Sequence, residues 1–436
     1  MNRVPAQAVT QGTGVVLEAQ WLRQLCLDAG ADDAGFVEIG RPALAEQRDD
    51  ILAGFPQTQT LVSLVGRLHR EASRTPVASV AYVENQIVVG KLDRAAHEIA
   101  MALEGRGVRA LAGGASAFPL DADRHPEKGW LVSHKPVAVA AGMGGTGLHR
   151  CVIHPRFGSF VVLGTVLVAA RLDRYDAPLE KNPCCGCQLC VEVCPVGAIG
   201  ADGYFNFSAC LTYNYRELMG GFLDWVANLT DSRDFRAYRR KFSDTETVAM
   251  WQSLAFGANF KSACCCAVCP AGAEVIGPFQ EDREAFVRQN VLPLKERPET
   301  VYVLAGSDAE RHVERFYPAK KAKRVTWSLR PRTIKGFLEG LPLLFQRQQS
   351  EGMDRTFHFS FTGDEAAQAT VAIRDRSLSV EAGLSGSPDL HITVDSRSWL
   401  SFLAKETNVV RMLLGRKIRI KGNPGSLKDF KRCFPA

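Results

Sequence analysis

Two cysteine runs constrain this chain more than anything else in it. "NPCCGCQLCVEVCPVGAIG" at 182–200 contains Cys184-x2-Cys187-x2-Cys190-x3-Cys194-Pro195, and "KSACCCAVCP" at 261–270 ends on Cys269-Pro270. Two-residue intervals wrap three thiolates around a cuboidal 4Fe–4S cluster, while the fourth cysteine, before its proline, reaches across to a second cluster. Each cluster then needs a ligand from outside its own run. Cys269 is the expected fourth ligand of the first cluster, beside Cys184, Cys187 and Cys190; Cys194 belongs to the second, which takes three further thiolates. Zinc is the competing occupant, because short paired cysteine intervals also suit it. Zinc needs only four ligands, and two runs closing on Cys-Pro offer at least eight, so two 4Fe–4S clusters are the expectation. Cys185 has no place in the spacing. Cys26, Cys151 and Cys433 sit in apolar patterns and are expected to be buried structural thiols.

The 436 residues are too many for one simple core, and 46% apolar with 23% charged content describes an ordinary globular chain. The net charge of +6 is mild. Much of it sits in "AKKAKR" (319–324) and "GRKIRIKG" (415–422), which read as solvated basic faces, so no nucleic-acid partner is expected. The opening "MNRVPAQAVTQGTGVVLEAQWL" lacks an apolar secretory core. The longest apolar stretch, "FVVLGTVLVAA" at 160–170, is too short to cross a bilayer, so no transmembrane segment is expected. A cytoplasmic location follows as the expectation. There a reducing environment favours metal ligation over disulfides for the 13 cysteines.

Along the N-terminal third, helical and strand patterns alternate. "EAQWLRQLCLDAG" (18–30) and "NQIVVGKLDRAAHEIAMALEGRG" (85–107) have helical periods that end in glycine, "AGFVEIG" (34–40) and "TLVSLVGRL" (60–68) are strand-like, and 134–172 reads as a helix, a glycine-rich turn and two strands. Residues 215–260 look helical. "RPETVYVLAGSD" (297–308) gives a strand expected to rejoin the first sheet, and the basic stretch 317–332 reads as a linker. Beyond it, "RTIKGFLEGLPLLFQRQ" (332–348) is an amphipathic helix. Period-two alternation in "TFHFSFTG", "ATVAIRDRSLSVEAG", "DLHITVD" and "RKIRIKG" predicts a half-buried antiparallel sheet covered by helices at 397–406 and 425–434.

"AAGMGGTGLHRCVIHPRFGSFVVLGTVL", the first cysteine run, "ACLTYNYRE" and the second Cys-Pro motif together resemble epoxyqueuosine reductases and reductive dehalogenases over about 130–275. The resemblance implies an α+β multidomain chain: a nitroreductase-like α/β sandwich and candidate corrinoid-binding domain over 1–175, a ferredoxin-like module with two 4Fe–4S clusters over 176–296, and a return strand with basic linker over 297–331. It carries Gly142, Gly144, Gly147, Pro155 and Gly158 over to a cobalamin pocket, and Cys210 to the second cluster. There Cys265 falls at the family's x3 interval. The remaining ligand would fall at Ser262, so Cys264 is taken to substitute, with Cys266 as the alternative. Leu148 stands where the family usually has Lys or Arg, and the epoxyqueuosine reductases' proton-donor aspartate has no counterpart in "DADRHPEKGWLVSHK". His134, His149 and His154 near the glycine-rich turn, and Tyr213 beside Cys210, are the proton-donor candidates. Lys135 and Arg150 could bind an anionic substrate group or the corrinoid phosphate, and Arg150 and His154 join the cofactor-binding set.

Residues 332–436, through "FHFSFTG", "PDLHITVDSRSWLSFLAKE" and "LLGRKIRIKGNPGSLKDF", resemble a sterol-carrier-protein-type domain: a sheet with covering helices around an apolar tunnel, either open to a lipid or filled by side chains. The two resemblances imply an oxidoreductase acting on an apolar or lipid-like small molecule. Electrons would pass from reduced ferredoxin or flavodoxin through two clusters to a corrinoid, with flavin as a weaker alternative. The competing function is a non-catalytic electron-transfer or corrinoid-reducing protein with a lipid-binding domain.

Overall fold

A computed structural model describes residues 9–10, 15–114, 131–216, 221–256, 264–327, 330–423 and 425–435. It divides into two compact units. One gathers described residues from 1–121, 128–193 and 263–294, the other from 194–262 and 295–436. The segment 176–296, expected to form a ferredoxin-like module, is shared between the two, with the division falling between Val193 and Cys194. Ser262 lies outside the described residues, as does 121–130 of "DADRHPEKGWLVSHK".

The first unit is built on four strands: β1 (Asp33–Glu38), β2 (Thr60–Arg67), β3 (Ala110–Gly114) and β4 (Val161–Val168). They lie in the order β1-β2-β4-β3, each pair antiparallel. Successive side chains point to opposite faces, and the burial follows that alternation. Phe36, Val62, Leu64, Val166 and Val168 pack under helices Ala19–Asp28 and Ala78–Glu104, through Leu22, Cys26, Leu92, Ala96, Ile99 and Leu103. Val37, Leu61, Val65 and Leu167 pack against helix His134–Ala140, through Val137, Ala138 and Ala140. Both faces are therefore apolar, as a sheet with helices on either side requires. The long helix begins at Ala78, earlier than its apolar period suggests, because its first turns are exposed: Val80, Val83 and Ile87 are 47%, 54% and 62% exposed.

In the second unit the strand expected to rejoin the first sheet does not do so. It forms β5 (Thr300–Leu304), which pairs in parallel with β6 (Lys321–Val325) in a separate two-stranded sheet. The basic stretch is accordingly part of the fold and not a linker. Its charges are used: Lys320 Nζ meets Glu299 at 2.8 Å, Lys323 pairs with Glu246 and Arg324 with Glu310. Upstream, the described part of 215–260 holds helices, as its pattern indicates: Phe222–Thr230, Phe235–Lys241 and Asp244–Phe256.

The C-terminal sheet comprises β7 (Arg355–Thr362), β8 (Ala367–Arg374), β9 (Ser377–Ala382), β10 (Leu390–Asp395) and β11 (Ile418–Gly422), in the order β9-β8-β7-β10-β11. One pair, β7 with β10, is parallel; the strand alternation alone does not distinguish this from an all-antiparallel sheet. Helices Ile334–Leu344, Ser396–Leu403, Val409–Leu414 and Gly425–Cys433 accompany it. Phe357, Phe359 and Phe361 share one buried face, as their spacing predicts. Among the described residues no helix is long and apolar enough to cross a membrane.

Candidate metal centre

The first cysteine run reaches its geometry through backbone that most residues avoid. Gly186 (φ 65) and Gln188 (φ 61) are left-handed, and the Cys184 N–H donates to Asn182 Oδ1 at 3.0 Å. Alternating handedness of this kind makes a concave loop suited to Fe–S sites. The run continues into helix Leu189–Val193, whose Leu189 and Val193 pack with Cys264, Ala267, Val268 and Phe286. This apolar cluster ties the run to helix Cys264–Ala267 and so delivers Cys269. A cavity results, lined by Cys184, Cys187, Cys190 and Cys269 together with Cys185, His149, Leu148, Ile153 and Gln188. Five cysteines line this cavity; Cys185 is exposed, and the other four are a donor set that fits a 4Fe–4S cluster. Burial pushes the Cys187 and Cys190 thiols up to about 12, so an incoming metal has to displace their protons.

The remaining predicted cysteines divide. Cys264 is buried in the apolar cluster just described. Cys194 and Cys210 belong to the second unit. There Cys194 Sγ accepts the Ala198 N–H at 3.3 Å and Cys210 Sγ accepts from Asn214 Nδ2 at 3.4 Å. Helix Phe207–Asn214 presents Cys210, and Asn206 caps it through the Ala209 N–H at 3.0 Å. Cys185 is exposed, while Cys26 and Cys433 are buried in the two main apolar cores.

Cys151 departs from the expectation of a buried structural thiol. It is half-buried, and its sulfur, the Cys266 sulfur and a ring nitrogen of His149 lie within 4.8 Å of one another. Only the fold brings these three together; the one sequence signal is the two-residue spacing of His149 and Cys151 across a turn. Burial works against a charged His149 ring, but the neighbouring sulfurs of Cys151, Cys269 and Cys265 outweigh it and push the group up to about 11.

The other candidates have partners of their own. His134 Nδ1 lies 2.8 Å from Thr165 Oγ1, and burial lowers the ring to about 4, which holds it neutral. His154 Nε2 meets Asp33 at 3.1 Å, while its Nδ1 accepts the N–H groups of Arg156 and Phe157 at 3.2 Å. Tyr213, in the second unit, donates to Glu299 at 3.0 Å. Lys135 donates to the Arg150 carbonyl at 2.9 Å.

The glycines press against the chain itself. A Cβ at Gly142 would stand 2.5 Å from the Ala177 carbonyl oxygen, at Gly144 2.5 Å from that of Ile153, and at Gly147 2.7 Å from Ile153 Cδ1. At Gly158 (φ 68) it would collide with the Ala271 carbonyl oxygen. Here the turn 154–158 is laced to 271–274, with Ala273 and Glu274 N–H groups donating to the Pro155 and Arg156 carbonyls at 2.8 and 3.0 Å. Of the residues carried over to a cobalamin pocket, Pro155 lines open space. It borders an open groove that also involves Glu180, Lys181, Cys185 and Gln280.

Over 102 residues, 23% of its length, the chain is 33% identical to epoxyqueuosine reductase of Escherichia coli (strain K12), covering 26% of that protein. The Vibrio cholerae serotype O1 epoxyqueuosine reductase is 36% identical over 89 residues, 20% of this chain and 24% of the relative. Residues 346–435 match the SCP-2 sterol transfer family. Part of this chain is similar to epoxyqueuosine reductases, and its C-terminal end to sterol carriers. Both resemblances read from the sequence are borne out at that level. The chain spans about a quarter of the length of the curated relatives it matches. A solved epoxyqueuosine reductase structure, from Streptococcus thermophilus, aligns over 49% of this chain and 61% of that one, at 16% identity and a TM-score of 0.33.

Proposed function

We propose that this chain is an iron–sulfur oxidoreductase in which Cys184, Cys187, Cys190 and Cys269 hold one 4Fe–4S cluster and a second set holds another. The observation that carries this reading is the cavity onto which those four cysteines converge. For the second cluster we propose Cys194, Cys210, Cys265 and Cys264, with Cys266 as the alternative to Cys264. The closeness of the Cys266 sulfur to Cys151 and His149 supports leaving it out. When bound, such clusters supply single electrons at low potential. The chain's part is to hold the thiolates, satisfy them with N–H donors such as those at Cys194 and Cys210, and keep water from the cavity. Exposed Cys185, at the cavity's edge, supports that side as the approach for a reduced ferredoxin or flavodoxin.

The similarity to epoxyqueuosine reductases supports cobalamin as a further cofactor, with flavin as the alternative. Gly142, Gly144, Gly147 and Gly158 do not fit as its cradle, because the atoms crowding them belong to this chain. The groove beside Cys185 is the space the first unit offers instead. Acid extraction of anaerobically purified protein, followed by mass spectrometry, tests this. A corrinoid is the expected product. Flavin would support the alternative cofactor, and neither, after reconstitution with cobalamin, would favour an electron-transfer protein over a reductase.

The SCP-2 match supports an apolar or lipid-like substrate. A specific observation favours a second reading for that domain. Phe337, Phe359, Phe361 and Trp399 pack ring to ring with centroids 5.3–6.2 Å apart, and Phe430 and Phe434 at 4.5 Å. Rings packed on one another along the buried face of the sheet suit a domain serving association. Native lipid extraction separates the two: recovered lipid supports the ligand-binding reading, and its absence the filled interior.

A further inference from the structure

We propose that His149 is a hydrogen-bond donor to the first cluster, its Nε2–H directed at a cluster or ligand sulfur so that the reduction potential is raised. This rests on the iron–sulfur reading above and goes beyond it by giving the imidazole a tuning role in place of substrate protonation.

The local sequence fixes the ring. Strands Gly145–Thr146 and Val152–Ile153 pair antiparallel around a tight turn, in which the Gly147 N–H donates to the Cys151 carbonyl at 3.0 Å and the Arg150 N–H to the Gly147 carbonyl at 2.9 Å. Arg150 takes φ 60 to close it. Within the turn the Cys151 N–H donates to His149 Nδ1 at 3.1 Å. A ring nitrogen that accepts an N–H holds no proton, so the neutral ring carries its proton on Nε2. The charged ring has a proton there as well. Nε2 is therefore a donor in either state.

That donor makes no hydrogen bond of ordinary geometry, and the sulfurs of Cys151 and Cys269 are among the ring's neighbours. Nε2 is buried without a hydrogen bond, on a residue only 4% exposed. Buried polar groups are nearly always satisfied, and an orphan costs about 1–3 kcal/mol. The ring forms part of the wall of the cavity lined by Cys184, Cys185, Cys187, Cys190 and Cys269, in which Gln188 is the other lining side chain able to accept a hydrogen bond. A sulfur in that cavity satisfies the orphan. His134 provides the contrast: its Nε2 is also buried and unpartnered, but the residue is not in the cavity wall. Hydrogen bonds to cluster sulfurs set reduction potential, because the donor stabilises the extra negative charge of the reduced state.

The test is a potentiometric titration of the anaerobically reconstituted full chain, monitored by electron paramagnetic resonance, for wild type, His149→Leu and His149→Gln. The first-cluster signal is the one lost in Cys187→Ser. Leucine removes the donor and should shift the midpoint to more negative potential, lowering the equilibrium constant for reduction about tenfold, or about 59 mV for one electron. Glutamine keeps an N–H donor and should recover most of the shift, with iron and sulfide content unchanged in both. An unchanged midpoint in His149→Leu at full iron content overturns the proposal, and is the result expected if Nε2–H is committed to Cys151 or Cys266. Loss of iron from both variants also overturns it, because the residue would then serve assembly. If wild type itself shows neither iron nor a cluster signal, the iron–sulfur reading has failed, and this inference with it.

Discussion

Cys187 and Cys185 lie two residues apart, and their environments set them to different tasks. Cys187 faces the cavity and is half-buried, with its thiol pushed up to about 12 chiefly by that burial; Cys185 is exposed. Cys187→Ser should therefore remove about half of the iron of a two-cluster protein, whereas Cys185→Ser should leave iron content at the wild-type level. The raised thiols of Cys187 and Cys190 also give a pH dependence. A raised pKa means protons compete more strongly with the metal, and the competition grows as pH falls. Chelator-driven iron loss should accelerate steadily from pH 9 to pH 6, and a rate independent of pH would contradict that origin. The ligand spacing was legible in the sequence because a cluster is wrapped by cysteines close in the chain. The approach of Cys151 to Cys266 was not, since 115 positions separate them and their segments are joined by long-range packing such as that of the 154–158 turn on 271–274.

At the scale of elements, the turn 154–158 holds the second cysteine run in place. His154 accepts two turn N–H groups, Ser159 Oγ donates to the Cys266 carbonyl at 2.7 Å, and Gly158 admits the Ala271 carbonyl. Gly158→Ala meets both a left-handed φ and a backbone collision, and should destabilise the first unit by at least about 2 kcal/mol. Denaturant unfolding measures this, and an effect under about 0.5 kcal/mol would mean the turn gives way freely. In the C-terminal sheet, Phe359 is fully buried and touches the rings of Phe337, Phe361, Trp399 and Phe430 at 5.6–5.9 Å. Phe359→Ala should cost about 3–5 kcal/mol by leaving a cavity; a much smaller loss would indicate that the interior is already open. Most strands were readable from period-two alternation, which does not encode pairing partners. That is why the pairing of β5 with β6 and the parallel pairing of β7 with β10 were not foreseen.

For the molecule as a whole, composition indicated several folded parts, and the two resemblances located a cysteine-rich centre and a sterol-carrier-like end. The compact units cut across that linear order, with 263–294 returning to the first unit while 194–262 belongs to the second. A return of this kind follows from long-range packing, such as that of Val268 and Phe286 on Leu189 and Val193, and leaves no local mark in the sequence. The central claim is that the cysteines of the two runs hold iron–sulfur clusters. It is tested most directly by iron, acid-labile sulfide and zinc analysis of the anaerobically purified full chain. The account predicts about eight iron and eight sulfide per chain. A chain with stoichiometric zinc and no sulfide after reconstitution would contradict it.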